Sequence, residues 1–321
     1  LLRSLGKKSL RGKKCLVRIN LDIADPRKDS FRLRAALPTL RLLLASGAKP
    51  IIISHRGRPH GADPSLSLKP AITILEHELG KKLKWRENVR FDPREENNES
   101  SFAKELAADA DMYINDDFGT CHRKAASLVA ITKLLPSYAG LRLEEEITNL
   151  TRICVNPATP FVVLLGGIKL EDKLGVIQRL ENKKTQFLLG SAYRLPREAL
   201  PRHANVIIPH DGIGDGKRWL DIGPKTTKEY IRIIAKAKTV LWSGPLGNIE
   251  NKLYMKGSRT IAQAILKSRA FSVAGGGDTA DFLQKEKYIE RFGFVSTGGG
   301  AMLAFLAGEK MPAIQALETN F

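Results

Sequence analysis

Phe161-Val162-Val163-Leu164-Leu165-Gly166-Gly167 runs apolar and stops on paired glycines, after which Ile168-Lys169-Leu170-Glu171-Asp172-Lys173 takes up a helical pattern. A short apolar run with no polar alternation fits a strand buried on both faces, as in a parallel sheet. The same unit recurs outward from it. Thr239–Pro245, Phe271–Gly277 and Phe294–Ser296 are apolar and run into glycines, and Gln186–Gly190 and Val206–Pro209 add two further strands. An earlier series lies upstream. Cys15–Ile23 reads as a strand, Arg32–Ser46 as an amphipathic helix stopped by Gly47, Lys49–His55 as an isoleucine-rich strand, Ser67–Leu79 and Phe102–Ala110 as helices, and Met112–Phe118 as a strand. A long helical stretch, Leu141–Ile153, ends near Asn156-Pro157 and joins the two series. Strands alternating with helices make a parallel sheet covered on both faces. The expected fold class is therefore α/β: two doubly wound parallel-sheet domains joined by a helix, with a cleft between them.

Composition narrows the classes. A chain of 321 residues exceeds one ordinary core, and 43% hydrophobic content describes a folded protein. No apolar run approaches the roughly 18 residues of a membrane span; Phe161 to Ile168 is eight residues. The basic first residues carry no apolar stretch, so no secretory signal is expected. Cys15, Cys121 and Cys154 stand alone, without CxxC or Cys/His spacing. That argues against a disulfide framework or a zinc site and suggests a cytoplasmic protein. The net charge of +18 is spread over both halves. It leaves a solvated basic surface, nucleic acid and small anionic substrates as explanations.

Position along the chain separates these. In open parallel sheets ligands bind where strands end and helices begin. In the first series those junctions carry Arg18, Arg32, His55, Arg58, Arg90, His122 and Arg123. Singly each reads as a surface cation. Together, each on a different loop, they suit one small polyanion, because guanidinium forks match phosphate and carboxylate oxygens. The second series puts glycines there: Gly166-Gly167, Gly244-Pro245-Leu246-Gly247, Gly275-Gly276-Gly277-Asp278-Thr279 and Gly298-Gly299-Gly300. Glycine admits close approach to a phosphate, and a following helix N-terminus supplies N–H donors. No GxxxxGK[ST] occurs, nor a GxGxxG with its acidic partner. One domain suited to a small anion and another to a nucleotide point to a kinase. No covalent nucleophile is in evidence, and direct phosphoryl transfer needs none.

At the level of motifs the chain resembles the phosphoglycerate kinase family from about Lys14 to Leu317. The resemblance rests on Val17-Arg18, Arg32-Leu33-Arg34-Ala35-Ala36-Leu37-Pro38-Thr39, Ser54-His55-Arg56-Gly57-Arg58-Pro59, Glu87-Asn88-Val89-Arg90-Phe91 and Asn115 through Arg123. It continues through Gly166 to Lys173, Asp221-Ile222-Gly223-Pro224-Lys225-Thr226, Trp242-Ser243-Gly244-Pro245, Gly275 to Thr279 and Ser296 to Gly300.

The resemblance implies reversible phosphoryl transfer between 1,3-bisphosphoglycerate and ADP, or ATP and 3-phosphoglycerate in reverse, with Mg²⁺, by a monomer that binds neither nucleic acid nor membrane. It implies a 3-phosphoglycerate domain over 1–143, a nucleotide domain over 144–305, and a segment 306–321 packing back on the first. Arg18, Asn20, Asp22, His55, Arg58, Arg90, His122 and Arg123 would bind the phosphoglycerate. Arg32 and Lys169 would be catalytic, meeting the transferred phosphoryl group from two sides. Gly167, Lys173, Gly190, Gly244 and Pro245 would border the nucleotide, with Glu250 on the ribose. Gly275, Gly276, Gly277, Gly298 and Gly299 would follow its phosphates, Asp278 would bind the metal, and Thr279 would face the terminal phosphate.

Three departures stand against a complete carry-over. The family's Arg-x-Asp-x-Asn is here Arg18-Ile19-Asn20-Leu21-Asp22, so that Asp22 would oppose the substrate carboxylate. Ser243 replaces an Asn. The chain is also short near Lys84-Trp85 and between Tyr193 and Asn205. A catalytically impaired relative, kept as a nucleotide-binding or regulatory protein, is the alternative.

Overall fold

Lys14–Arg18 (β1) is buried from Cys15 onward, as expected of a strand covered on both faces. The computed structural model describes residues 3–6, 9–23, 25, 30–167, 173–182, 184–192 and 205–319. These divide into two units, Leu1–Ile147 with Lys310–Phe321, and Thr148–Glu309.

In the first unit β1 pairs in parallel with Lys49–Ile53 (β2) and Met112–Asn115 (β4). Lys84–Trp85 (β3) and Ser137–Ala139 (β5) complete a parallel sheet of order β3-β2-β1-β4-β5. The helices are Phe31–Ala45 (α1), Lys69–Leu79 (α2) and Ser100–Ala107 (α3). Ser30 caps α1 by accepting from the Leu33 N–H, and Gly47, at φ +72°, turns the chain after its end. Along α1, Leu33, Leu37, Leu40 and Leu43 fall on one face and join Ile52, Ile72 and Leu75 in the core. Leu141–Val155 (α4) leaves this unit for the second. Pro312–Thr319 (α10) belongs to the first unit, where the Ala313 N–H donates to the Cys121 carbonyl.

In the second unit Phe161–Leu165 (β6), Leu174–Leu180 (α5), Thr185–Leu189 (β7) and Asn205–Ile207 (β8) form one half. Thr239–Ser243 (β11), Lys256–Ser268 (α7), Phe271–Gly275 (β12), Gly277–Lys285 (α8), Phe294–Val295 (β13) and Gly299–Leu306 (α9) form the other. The parallel order β13-β12-β11-β6-β7-β8 places the topological switch between β6 and β11. Trp242, fully buried on β11, packs edge-on to Phe282.

The α/β class and both parallel sheets agree with the sequence expectation. Some details differ. The first strand ends at Arg18 rather than Ile23, and the fourth at Asn115 rather than Phe118. The edge strands β3 and β5, of two and three residues, are too short to show periodicity. An antiparallel hairpin, Gly212–Gly214 (β9) with Trp219–Ile222 (β10), precedes Pro224–Ile234 (α6). Its glycines hid it.

Candidate active site

Strand register brings the junctions of each sheet to a common level. In the first sheet Arg18 is aligned with Ile53 and with Asn115, so the segments from Ile19, Ser54 and Asp116 emerge at the same edge. His55, Asp117 and Asn20 are thereby neighbours without being close in sequence.

Arg18 departs from its expected role. It is 1% exposed, and its guanidinium is held internally. Nη1 donates to Ser127 Oγ at 2.5 Å and lies 3.6 Å from Glu95 Oε1. Nε lies 3.5 Å from Asp117 Oδ2, and Nη2 reaches Thr120 Oγ1 and His55 Nδ1. A cation so enclosed supports the site from beneath rather than meeting a ligand. Because arginine only donates, His55 Nδ1 accepts, and the neutral ring carries its proton on Nε2. Nε2 points to Asp22 Oδ2 at 3.6 Å. Burial, opposed by Asp22 and Asp117, holds the His55 pKa below its usual value.

Asp22 sits among the cations. Its Oδ1 accepts from the Gly57 N–H at 2.9 Å, and its carbonyl accepts from Arg32 Nη1. The His55 contact, with help from the Gly57 N–H and Arg32, pulls its carboxyl well below the usual range. Asp22 is ionised where an anion is expected to bind. Asn20 is buried and accepts from the Asp22 N–H. Arg90, half-buried, donates to the Gly57 carbonyl and lies 3.5 Å from Glu96, which Arg123 also approaches. Burial and the neighbouring Arg123 and Arg18 lower the Arg90 pKa. That mutual repulsion shows how closely the cations gather. Arg58 is exposed and His122 half-buried.

In the second sheet Ser243 is aligned with Leu165 and with Gly275, so Gly166-Gly167, Gly244-Pro245 and Gly276-Gly277 emerge together. They border a cavity of about 720 Å³ with Glu250, Asp278, Thr279 and Gly299, a size suited to a nucleotide. A Cβ on Gly166 would run into the Pro245 and Gly244 carbonyls, so the first two loops can touch only through glycine. The Gly244 N–H donates to Thr279 Oγ1 at 2.9 Å, tying the α8 N-terminus to them. The Thr279 hydroxyl is thus buried in a structural bond.

Lys173 is likewise largely buried, its ammonium donating to the Gly166 carbonyl, and it borders the same cavity. Gly190, Gly275 and Gly298 do not border the cavity among the described residues. Gly190 packs on the backbone of Gly166 and Leu246, and Gly275 on Met302; both serve close packing. Lys169 and residues 193–204 lie outside the described residues. Arg218, Trp219, Asn248 and Asp281 border the cavity without any signal in the sequence motifs.

Asp278 is exposed in the first turn of α8. Among the described residues no group of three or more potential ligands could hold a metal alone. Magnesium commonly takes one or two carboxylates and completes its shell with water and phosphate oxygens, so Asp278 beside a phosphate cradle fits it.

The phosphoglycerate kinase family model matches residues 5–195 and 183–309. The phosphoglycerate kinase of Herpetosiphon aurantiacus is 35% identical, covering 95% of this chain and 96% of that protein. The structure of phosphoglycerate kinase from Coxiella burnetii superposes with a TM-score of 0.83 at 27% identity, over 99% of each chain. That from Pyrococcus horikoshii gives 0.85 at 27% identity, over 99% of this chain and 98% of that one. On the family model, the full-length likeness and the two parallel sheets, the chain belongs to the phosphoglycerate kinase family.

Proposed function

We propose that the chain catalyses reversible phosphoryl transfer between 1,3-bisphosphoglycerate and ADP, the first unit holding the phosphoglycerate and the second the nucleotide. The observation that carries this is the shared register of Leu165, Ser243 and Gly275, which sets three glycine turns and a helix N-terminus around one cavity. Arg58, Arg90, Arg123 and His55 bind the three-carbon anion, with Arg18 as a positioning residue behind His55. Arg32, in the first turn of α1, neutralises charge on the phosphoryl group in flight, and Lys169 is assigned the same task by resemblance. Gly167, Gly244, Gly276 and Gly277 admit the nucleotide phosphates, and Glu250 takes the ribose. Asp278 would hold Mg²⁺, which supplies charge neutralisation on the phosphate oxygens when bound.

No acid, base or nucleophile is required of the protein; positioning and charge carry the rate. The proposed setting is a cytoplasmic monomer. Isolated thiols at Cys15, Cys121 and Cys154 support a reducing environment, and no helix among the described residues is long and apolar enough to cross a membrane.

The test is a coupled assay of purified protein with ATP, Mg²⁺ and 3-phosphoglycerate. ADP release that requires all three supports the reading; ATP binding without turnover would leave a nucleotide-binding relative instead.

A further inference from the structure

Trp219 is 40% exposed, whereas Trp242 is fully buried. It belongs to the β9–β10 hairpin, outside the main sheet, and borders the cavity that holds the glycine loops. Three features build its position. A Cβ on Gly212 would overlap the indole at Cγ and Cδ2, so the ring rests directly on glycine backbone. The hairpin register slips between Trp219 and Asp221, a bulge that lets near neighbours point differently. Asp221 is thereby buried, accepting from the Gly257 N–H at 2.7 Å, while Trp219 stays at the cavity. Finally, the bulged Leu220 gives its carbonyl to the Asn248 N–H at 2.7 Å. That bond fixes the strand beside the Asn248-Ile249-Glu250 loop. Leu246, Ile249 and Leu303 add apolar lining to the same cavity.

We infer that Trp219 is the platform on which the base of the nucleotide stacks. The inference rests on the nucleotide reading of this cavity and assigns a residue to its base end. The glycine turns and the α8 N-terminus suit phosphate, so the uncharged, flat part of the ligand is left to the aromatic and aliphatic side chains. An indole backed by glycine backbone, 40% exposed and bordering the cavity, presents the flat surface that a base requires. Removing such a platform costs about 5–150-fold in affinity.

Calorimetric titration of the full chain with ADP, and separately with tripolyphosphate, tests this. Trp219→Ala is expected to weaken ADP by roughly that factor and to leave tripolyphosphate within twofold. Trp219→Phe, which keeps an aromatic face, should hold ADP within a few-fold. Unchanged ADP affinity in Trp219→Ala, or an equal loss of both ligands, would overturn the inference. A parent protein that binds tripolyphosphate but not ADP would also overturn it. One that binds neither would remove the nucleotide reading as well.

Discussion

The Arg18 guanidinium lies 3.4 Å from His55 Nδ1, and that contact decides which imidazole nitrogen faces the site. The same guanidinium lies beside two other buried groups, Glu95 and Asp117. Removing it would leave two carboxylates uncompensated in the interior. Arg18→Met is therefore expected to lose about 3–5 kcal/mol of stability in urea unfolding. A loss below about 1 kcal/mol would show that the carboxylates are satisfied without it.

The buried, neutral His55 also sets a pH dependence. Its folded pKa is lowered, so below about pH 6.5 the unfolded chain binds a proton that the folded one refuses. Its contribution is fully present above that pH and is lost as the pH falls through the folded pKa. Denaturation at pH 8, 6 and 5 should show the parent losing more stability than His55→Gln on the acid side. Parallel pH profiles would contradict the assignment. Asp116, pushed up to about 6 by burial, acts oppositely: its contribution is present below about pH 4 and is lost as pH rises through 6. The difference between parent and His55→Gln isolates the histidine.

The Asp22 carboxylate lies 3.6 Å from His55 Nε2 and is held ionised with help from Arg32, where it would oppose an anionic substrate. Asp22→Asn keeps an acceptor for the Gly57 N–H and removes the charge. The KM for 3-phosphoglycerate should fall by about 5-fold or more, corresponding to at least about 1 kcal/mol of repulsion. The double exchange Asn20→Asp with Asp22→Asn should do no worse. An unchanged or higher KM would show that the Asp22 charge orients the cations productively.

Arg32 and Arg34 share one helix turn but not one direction. Arg32→Ala should lower kcat by roughly 10²–10⁴-fold with the KM for ATP within a few-fold, because it removes a partner of the transition-state charge. Arg34→Ala should cost far less. Equal losses in the two variants would take Arg32 out of the mechanism.

Much of this architecture was legible in the chain. The apolar run Phe161–Leu165 into Gly166 is recognisable as a strand because strands buried on both faces leave an unbroken hydrophobic signal. Site residues were harder. Arg18 stands at a strand end like a ligand-binding arginine, yet its partner Ser127 lies 109 residues away, and only the fold shows the cation turned inward. Gly190 and Gly275 have the composition of phosphate loops but pack closely on Gly166 and Leu246 and on Met302 respectively, a distinction that depends on neighbours distant in sequence. Trp219 carried no motif. Its exposure follows from a bulge and from Gly212 across a two-stranded hairpin, neither of which has a periodic signature.

The division of labour between the units is tested most directly by hydrogen exchange of the intact protein with each ligand alone. 3-Phosphoglycerate should slow exchange in peptides around His55–Arg58, Arg90 and Gly119–Arg123, and ADP with Mg²⁺ in those around Gly166-Gly167, Gly244–Glu250 and Gly276–Thr279. Protection of both sets by one ligand alone, or of the two sets in the reverse order, would contradict the assignment of one substrate to each unit.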